Sequence, residues 1–124
     1  MHCLRLDHND IGDTGMRALS IVASAGLLDA VKELKLNSNR ITDCGLSWFT
    51  CAVSHSLVMP KLNELHLGGN TLNPRGLQAL ASAVCKGALP TLRELWLYKG
   101  DPGAAEMRGH LPSRVSCRWG AMRG

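Results

Sequence analysis

Apolar and polar residues recur along this chain in a pattern that repeats about every thirty residues. Six positions match in three successive copies, and a fourth copy begins and then loses the pattern at Gly100. The copies are Met1, Leu4, Leu6, Asn9, Ile11 and Gly15; Val31, Leu34, Leu36, Asn39, Ile41 and Gly45; Leu62, Leu65, Leu67, Asn70, Leu72 and Gly76; and the partial copy Leu92, Leu95 and Leu97. The periods of 30, 31 and 30 residues indicate an array of one structural unit.

Each unit reads as a short strand, a turn and a helix. In the second unit Leu34 and Leu36 alternate with polar residues, which is typical of a half-buried strand. Apolar residues at helical spacing follow each turn. The pattern predicts helices near residues 13–25, 43–55 and 74–86. Their expected N-caps are Gly12, Thr42 and Asn73, and their expected ends are Gly26, Ser56 and Gly87.

Stacking such units predicts a right-handed α/β solenoid shaped like a horseshoe, with a parallel sheet on the concave face and helices on the convex face. The recurrent asparagines, Asn39 among them, would satisfy backbone groups at the turn that leaves the sheet. The recurrent glycines, such as Gly45, would lie where a helix approaches its neighbour too closely for a Cβ.

The pattern Leu-x-x-Leu-x-Leu-x-x-Asn-x-Ile/Leu-x-x-x-Gly over residues 1–98 resembles the leucine-rich repeats of the ribonuclease-inhibitor type. The resemblance implies a protein-interaction surface, as in ribonuclease inhibitors, NOD-like receptors, tropomodulins and Ran GTPase-activating proteins. This chain departs from the family pattern in units that are one or two residues longer and in a final unit that is degenerate from Gly100 onward.

The predicted organisation is a solenoid over residues 1–98, with repeats starting at 1, 31, 62 and 92. Residues 99–124 would form a degenerate C-terminal cap, with a short helix near 103–110 and a disordered tail. No helix is predicted before the first strand, so its edge at Cys3–Asp7 would be bare. We therefore expect a piece of a longer repeat array, a truncated product, or a chain that associates with another copy through this edge.

Composition adds limits on the compartment and on the class of partner. The 124 residues are 45% hydrophobic and 19% charged, which predicts a soluble folded domain. No apolar run reaches the roughly 18 residues of a membrane span, and no signal sequence is evident. Five cysteines without C-x-x-C spacing predict reduced thiols and a cytoplasmic location. The net charge of +4 is spread along the chain, which argues against nucleic acid as a partner.

Motifs for catalysis, phosphate binding or metal binding are not found. The chain has no G-x-G-x-x-G, no G-x-x-x-x-G-K-[ST] and no H-E-x-x-H sequence. Acidic residues near the first turn, such as Asp10 and Asp13, suit a turn and a helix start better than a metal site. We predict no catalytic, cofactor or metal residues.

The positions that the repeat leaves free on the concave face are the candidates for partner binding. They are Trp96, Tyr98, Glu94, His66, Glu64, Lys35, Glu33 and Arg5. The two aromatic residues are the sharpest candidates, because apolar rings turned away from a core need something to cover them. Two alternatives remain open for these positions. The tail or a neighbouring copy could cover the rings, and the charged residues could form a solvated ladder that contributes little energy.

The function predicted from the sequence is a non-enzymatic protein-interaction module that uses its concave face. A GTPase-activating regulator similar to the Ran GTPase-activating proteins and an oligomerising fragment of a longer repeat protein are the alternatives. Trp48 stands where the other repeats have Ala18 and Ala79, and we expect it at a seam between repeats.

Overall fold

The computed structural model describes residues 3–55, 58–98 and 107–120, where short strands alternate with helices. The strands are β1 Cys3–Arg5, β2 Glu33–Lys35, β3 Glu64–His66, β4 Glu94–Tyr98 and β5 Ser116–Gly120. The helices are α1 Gly12–Ser24, α2 Asp43–His55 and α3 Pro74–Cys85, and a short 3₁₀ helix spans Met107–Gly109. The three α-helices begin and end within one residue of the predicted bounds.

The five strands form one parallel sheet in the order β1, β2, β3, β4, β5. Leu34 lies opposite Leu4 on one side and Leu65 on the other, so equivalent positions of successive repeats are in register. Helix α2 packs between α1 and α3. The predicted α/β solenoid with alternating strands and helices is confirmed.

The core lies between the sheet and the helices. The central leucines Leu34, Leu65 and Leu95 are fully buried, and they pack in one cluster with helix residues such as Phe49 and Leu80. The alternate strand residues point to the other side of the sheet, which we call the open sheet face. Its strand residues are Cys3, Arg5, Glu33, Lys35, Glu64, His66, Glu94, Trp96, Tyr98, Ser116 and Arg118.

Two buried asparagines link the turns of neighbouring repeats. The Asn70 Oδ1 accepts hydrogen bonds from the amides of Asn39 and Ile41 at 2.8 and 3.1 Å. The Asn39 Oδ1 accepts in the same way from the amides of Asn9 and Ile11, at 2.7 and 3.3 Å. The predicted turn role is therefore seen for Asn39 and Asn70, whereas Asn9 is exposed.

A second inter-repeat contact joins the helix starts. The Asp13 carboxylate accepts hydrogen bonds from the Thr42 hydroxyl and from the amides of Thr42 and Gly45. A Cβ on Gly45 would lie 3.0 Å from the Asp13 Cα, so the expected close approach of a helix to its neighbour is seen here. Gly15 differs, because its closest neighbour is Ile11 of its own repeat.

The helix caps match the sequence prediction in part. Gly26 and Gly87 have φ angles of +82° and +110°, the left-handed conformation that glycine adopts at low cost. Asn73 is the N-cap of α3, although its side chain makes no capping hydrogen bond. Gly12 is the first residue of α1 rather than its N-cap. Ser56, the predicted end of α2, lies outside the described residues.

The C-terminal region is more ordered than the sequence predicted. Residues 111–115 lead into β5, which pairs in parallel with β4, and the Ser116 amide donates to the Arg93 carbonyl at 2.8 Å. Val115 and Cys117 are buried against the core. The prediction of a disordered tail is wrong for Ser116–Gly120, because the edge of β4 offers backbone groups that this segment can pair with. Of the predicted helix near 103–110, the described part is the 3₁₀ turn.

Candidate functional site

Strand register arranges the open sheet face into two parallel rows of polar and aromatic side chains. The first row is Cys3, Glu33, Glu64, Glu94 and Ser116, and the second is Arg5, Lys35, His66, Trp96 and Arg118. The sequence predicted these rows as far as β4. It missed Ser116 and Arg118, whose one signal is their alternation with the apolar residues Val115 and Cys117.

Trp96 is held in place by two side-chain contacts. Its ring stacks on the His66 ring of β3, with centroids 5.2 Å apart and planes inclined by 6°. Its Nε1 donates a hydrogen bond to the Glu94 Oε1 at 2.8 Å. The indole remains partly exposed. The structure therefore presents a flat aromatic group to solvent in a defined orientation.

The glutamates of the first row contact side chains of the second row. The Glu64 Oε1 lies 3.3 Å from the His66 Nε2, and the Glu94 Oε1 lies 3.5 Å from the Arg118 Nε. Burial lowers the pKa of His66, and the hydrogen bond with Glu64 opposes this effect without overcoming it. His66 is therefore mostly neutral near pH 7.

Tyr98 lies on the same face but is buried, with 9% of its surface exposed. Its ring covers the backbone of Gly68 and Gly69, where a Cβ would lie 2.7 and 2.6 Å from ring carbons of Tyr98. Its hydroxyl accepts a hydrogen bond from the Asn37 Nδ2 at 3.1 Å. Tyr98 thus lies on the face that the sequence predicted, but its ring is covered there, because two glycines of the preceding repeat leave room for it.

The charged residues nearer β1 differ in their partners. The Arg5 Nε lies 3.7 Å from the Asp7 Oδ1, in a pair whose arginine is largely exposed. Burial raises the pKa of the Cys3 thiol, and a hydrogen bond with Glu33 raises it further. Lys35 is half-buried. In the part of the chain that the structure describes, no carboxylate oxygen lies within 4.0 Å of the Lys35 ammonium.

A pocket of about 230 Å³ opens on this face between the aromatic residues and Lys35. It is lined by Asp7, Lys35, Asn37, His66, Gly68, Trp96, Leu97 and Tyr98. Its position brings together four of the predicted site residues, namely Lys35, His66, Trp96 and Tyr98. Arg5, Glu33, Glu64 and Glu94 are not among the lining residues.

The opposite surface carries a different aromatic group. Trp48 of α2 lies at the seam with α1, as expected, but it is 44% exposed. The Arg17 guanidinium lies 4.9 Å from the centroid of its ring. A groove of about 270 Å³ beside this pair is lined by residues of both helices, including Ile21 and Ala52.

Other kinds of site are not evident in residues 3–55, 58–98 and 107–120. These ranges contain no group of three His, Cys, Asp or Glu side chains placed to hold a metal ion. Likewise, none of the helices described there is long and apolar enough to cross a membrane. Cys85 is exposed, and its Sγ donates to the His110 carbonyl at 3.2 Å.

Comparison with known proteins agrees with this architecture. Residues 1–20, 31–47 and 58–81 match the family model described as Leucine Rich repeat. No curated protein matches the chain. Domains of this family generally mediate protein–protein interaction and are generally non-enzymatic. The matched segments and the parallel sheet of stacked strand–helix units together support a leucine-rich repeat architecture for this chain.

Proposed function

We propose that this protein is a non-enzymatic interaction module that binds a protein partner on its open sheet face. The observation that carries the proposal is the exposed part of the Trp96 ring, which His66 and Glu94 hold in one orientation. Binding energy in protein interfaces is concentrated in a few aromatic or arginine side chains near the centre of the patch. Trp96 is surrounded by polar groups as such a side chain would be, since β3 and β5 on the two sides of it contribute polar side chains.

Preorganisation favours this face over a flexible surface. A side chain that is already fixed loses little conformational entropy on binding, whereas a mobile one costs about 0.5–1.5 kcal/mol. The charged residues around Trp96 would form a polar rim that affects partner choice more than affinity. In this proposal Glu33, Glu64, Glu94 and Arg5 belong to that rim.

We further propose that the repeats are of the ribonuclease-inhibitor type and that the protein acts in the cytoplasm. The periods of 30 and 31 residues and the glycine at the helix start support the subfamily. Exposed thiols at Cys44 and Cys85 suit a reducing compartment.

The test compares two tryptophan substitutions on opposite faces. Wild-type protein, Trp96→Ala and Trp48→Ala are used as baits in a cell lysate, and the proteins bound to each bait are quantified side by side. Trp48 is a matched control because it is also partly exposed and lies on the helical side. We expect proteins that bind wild type and Trp48→Ala but not Trp96→Ala.

A partner found in this way is then purified and its affinity is measured directly. Trp96→Ala should weaken binding by about 2 kcal/mol or more, with an unchanged thermal midpoint. If Trp96→Ala lowers the thermal midpoint and leaves every interaction intact, Trp96 has a packing role and the proposal is wrong.

A further inference from the structure

We propose that the pocket beside the His66–Trp96 stack receives an acidic side chain of the partner protein, with Lys35 as its counter-charge. The inference rests on the proposed function, since it names the chemistry that the open sheet face would recognise. It concerns a part of that face that the aromatic ring alone does not explain.

The charges around the pocket are balanced unevenly. Asp7, the acidic residue of the lining, pairs with Arg5 at 3.7 Å. The nearby Glu64 and Glu94 contact His66 and Trp96. In the described part of the chain Lys35 has no such carboxylate within 4.0 Å. A carboxylate entering the pocket would therefore meet a cation that no described acidic side chain contacts within 4.0 Å.

The size of the pocket limits what can enter. Sites for drug-sized ligands usually enclose about 300–1,000 Å³, and this one encloses about 230 Å³. It suits a single side chain better than a cofactor. Its polar groups also suit a carboxylate, because the Lys35 ammonium has three N–H donors and the Asn37 amide, which gives one N–H to Tyr98, has a second.

Burial strengthens the proposed ion pair. Lys35 and His66 are half-buried, and the indole of Trp96, stacked on the His66 ring, forms part of the lining. Water screens charges less in such a setting than on an open surface. Lys35 would then contribute to affinity as well as to the rate of encounter.

His66 would link this binding to pH. The groups that act on it are Lys35 and Glu33 from β2, Glu64 from its own strand and the Trp96 ring from β4. Burial and Lys35 keep its pKa low. An added carboxylate would favour the protonated ring, so binding should take up a proton and become tighter as the pH falls from about 7.5 to about 5.5.

The experiment uses a phage-displayed library of random peptides selected on the full chain. We expect the selected peptides to share an aspartate or glutamate at one position. Affinity is measured for one such peptide and for its asparagine or glutamine version, on wild type, Lys35→Met and Lys35→Arg. Losing either charge should weaken binding about tenfold, losing both should cost little more, and Lys35→Arg should retain most of the affinity.

The outcomes separate this inference from the proposed function. Peptides without an acidic preference, or equal affinity for wild type and Lys35→Met, would overturn the acidic-side-chain proposal, and loss of binding in Trp96→Ala would still support the open sheet face. If neither Lys35→Met nor Trp96→Ala changes the affinity of any selected peptide, or if no peptide is selected, both ideas fail. Affinity that does not rise at lower pH, or rises equally in His66→Gln, would overturn the proton link.

Discussion

Replacing Asn70 by alanine should destabilise the protein strongly, because this side chain completes the hydrogen bonding of a buried turn. Asn70 is 8% exposed. Its Oδ1 accepts from the amides of Asn39 and Ile41, and its Nδ2 donates to the carbonyls of Leu36 and Leu67 at 3.0 and 2.9 Å. Alanine can replace none of these four bonds.

The size of the effect follows from which partners remain satisfied. The Leu36 carbonyl keeps a second donor, the Asn39 Nδ2 at 3.1 Å. The amides of Asn39 and Ile41 belong to buried residues and would lose these bonds at about 1–3 kcal/mol each. We therefore expect Asn70→Ala to lower the free energy of unfolding by about 3–5 kcal/mol.

Urea unfolding followed by far-ultraviolet circular dichroism measures this difference. Asn73→Ala is the matched control, because Asn73 is exposed and its side chain makes no capping bond. It should change the free energy of unfolding by no more than about 0.5 kcal/mol. Equal effects of the two substitutions, or a loss below about 1 kcal/mol at Asn70, would refute the reasoning.

Three further predictions concern the helix starts and one strained turn. Gly45→Ala should destabilise the fold by about 1–2 kcal/mol in urea unfolding, because its Cβ would press on the Asp13 carboxylate and would lie 3.0 Å from the Asp13 Cα. In an Asp13→Ala background the same change should cost less, because the carboxylate is gone, although the contact with the Cα of residue 13 remains. Burial would raise the pKa of Asp13, but hydrogen bonds from Thr42 and Gly45 outweigh it and lower the pKa below 3.8. The contribution of Asp13 to the free energy of unfolding is therefore present above that pH and is lost as the pH falls through the folded-state pKa. Urea midpoints between about pH 5 and about pH 2 should show this loss in wild type and less of it in Asp13→Asn; parallel curves would contradict it. Arg40 has a φ of +58°, a left-handed backbone conformation that asparagine adopts with less strain than arginine, and its ion pair with Asp10 at 3.3 Å is exposed. Arg40→Asn should therefore raise the free energy of unfolding by up to about 1 kcal/mol in thermal unfolding. A decrease would show that the ion pair matters more than the backbone strain.

The repeat made most of the fold predictable from the sequence. The residue types at positions such as Leu34, Asn39 and Gly45 recur at fixed spacing, because they make the same kind of contact in each unit that has a neighbour on both sides. Such contacts therefore appear in the sequence as a repeat of about thirty residues. Strand β5 leaves no such trace: Cys117 occupies the place opposite Leu95 without the leucine pattern, and its pairing depends on the backbone edge of β4.

The candidate site was predictable as a set of rows but not as a shape. Alternation along each strand assigns Trp96 and Tyr98 to one face, yet it cannot show that one ring stays accessible while the other is buried. That difference depends on Gly68 and Gly69 in the neighbouring repeat, a contact across about thirty residues of sequence. The stacking of His66 on Trp96 likewise follows from strand register, which sequence spacing indicates only indirectly.

The contacts between the repeats also determine where the chain can change its length. Between strand and helix start, Asn39 and Asp13 tie each unit to its neighbour, so one inserted residue would shift both sets of bonds out of phase. After the helix the spacing varies, since Met59 follows Val53 by six residues, whereas in the next unit the equivalent Leu89 follows Val84 by five. Insertions and deletions acquired during evolution should accumulate just after the helices, and a designer who wishes to graft a loop onto this protein should choose the same place.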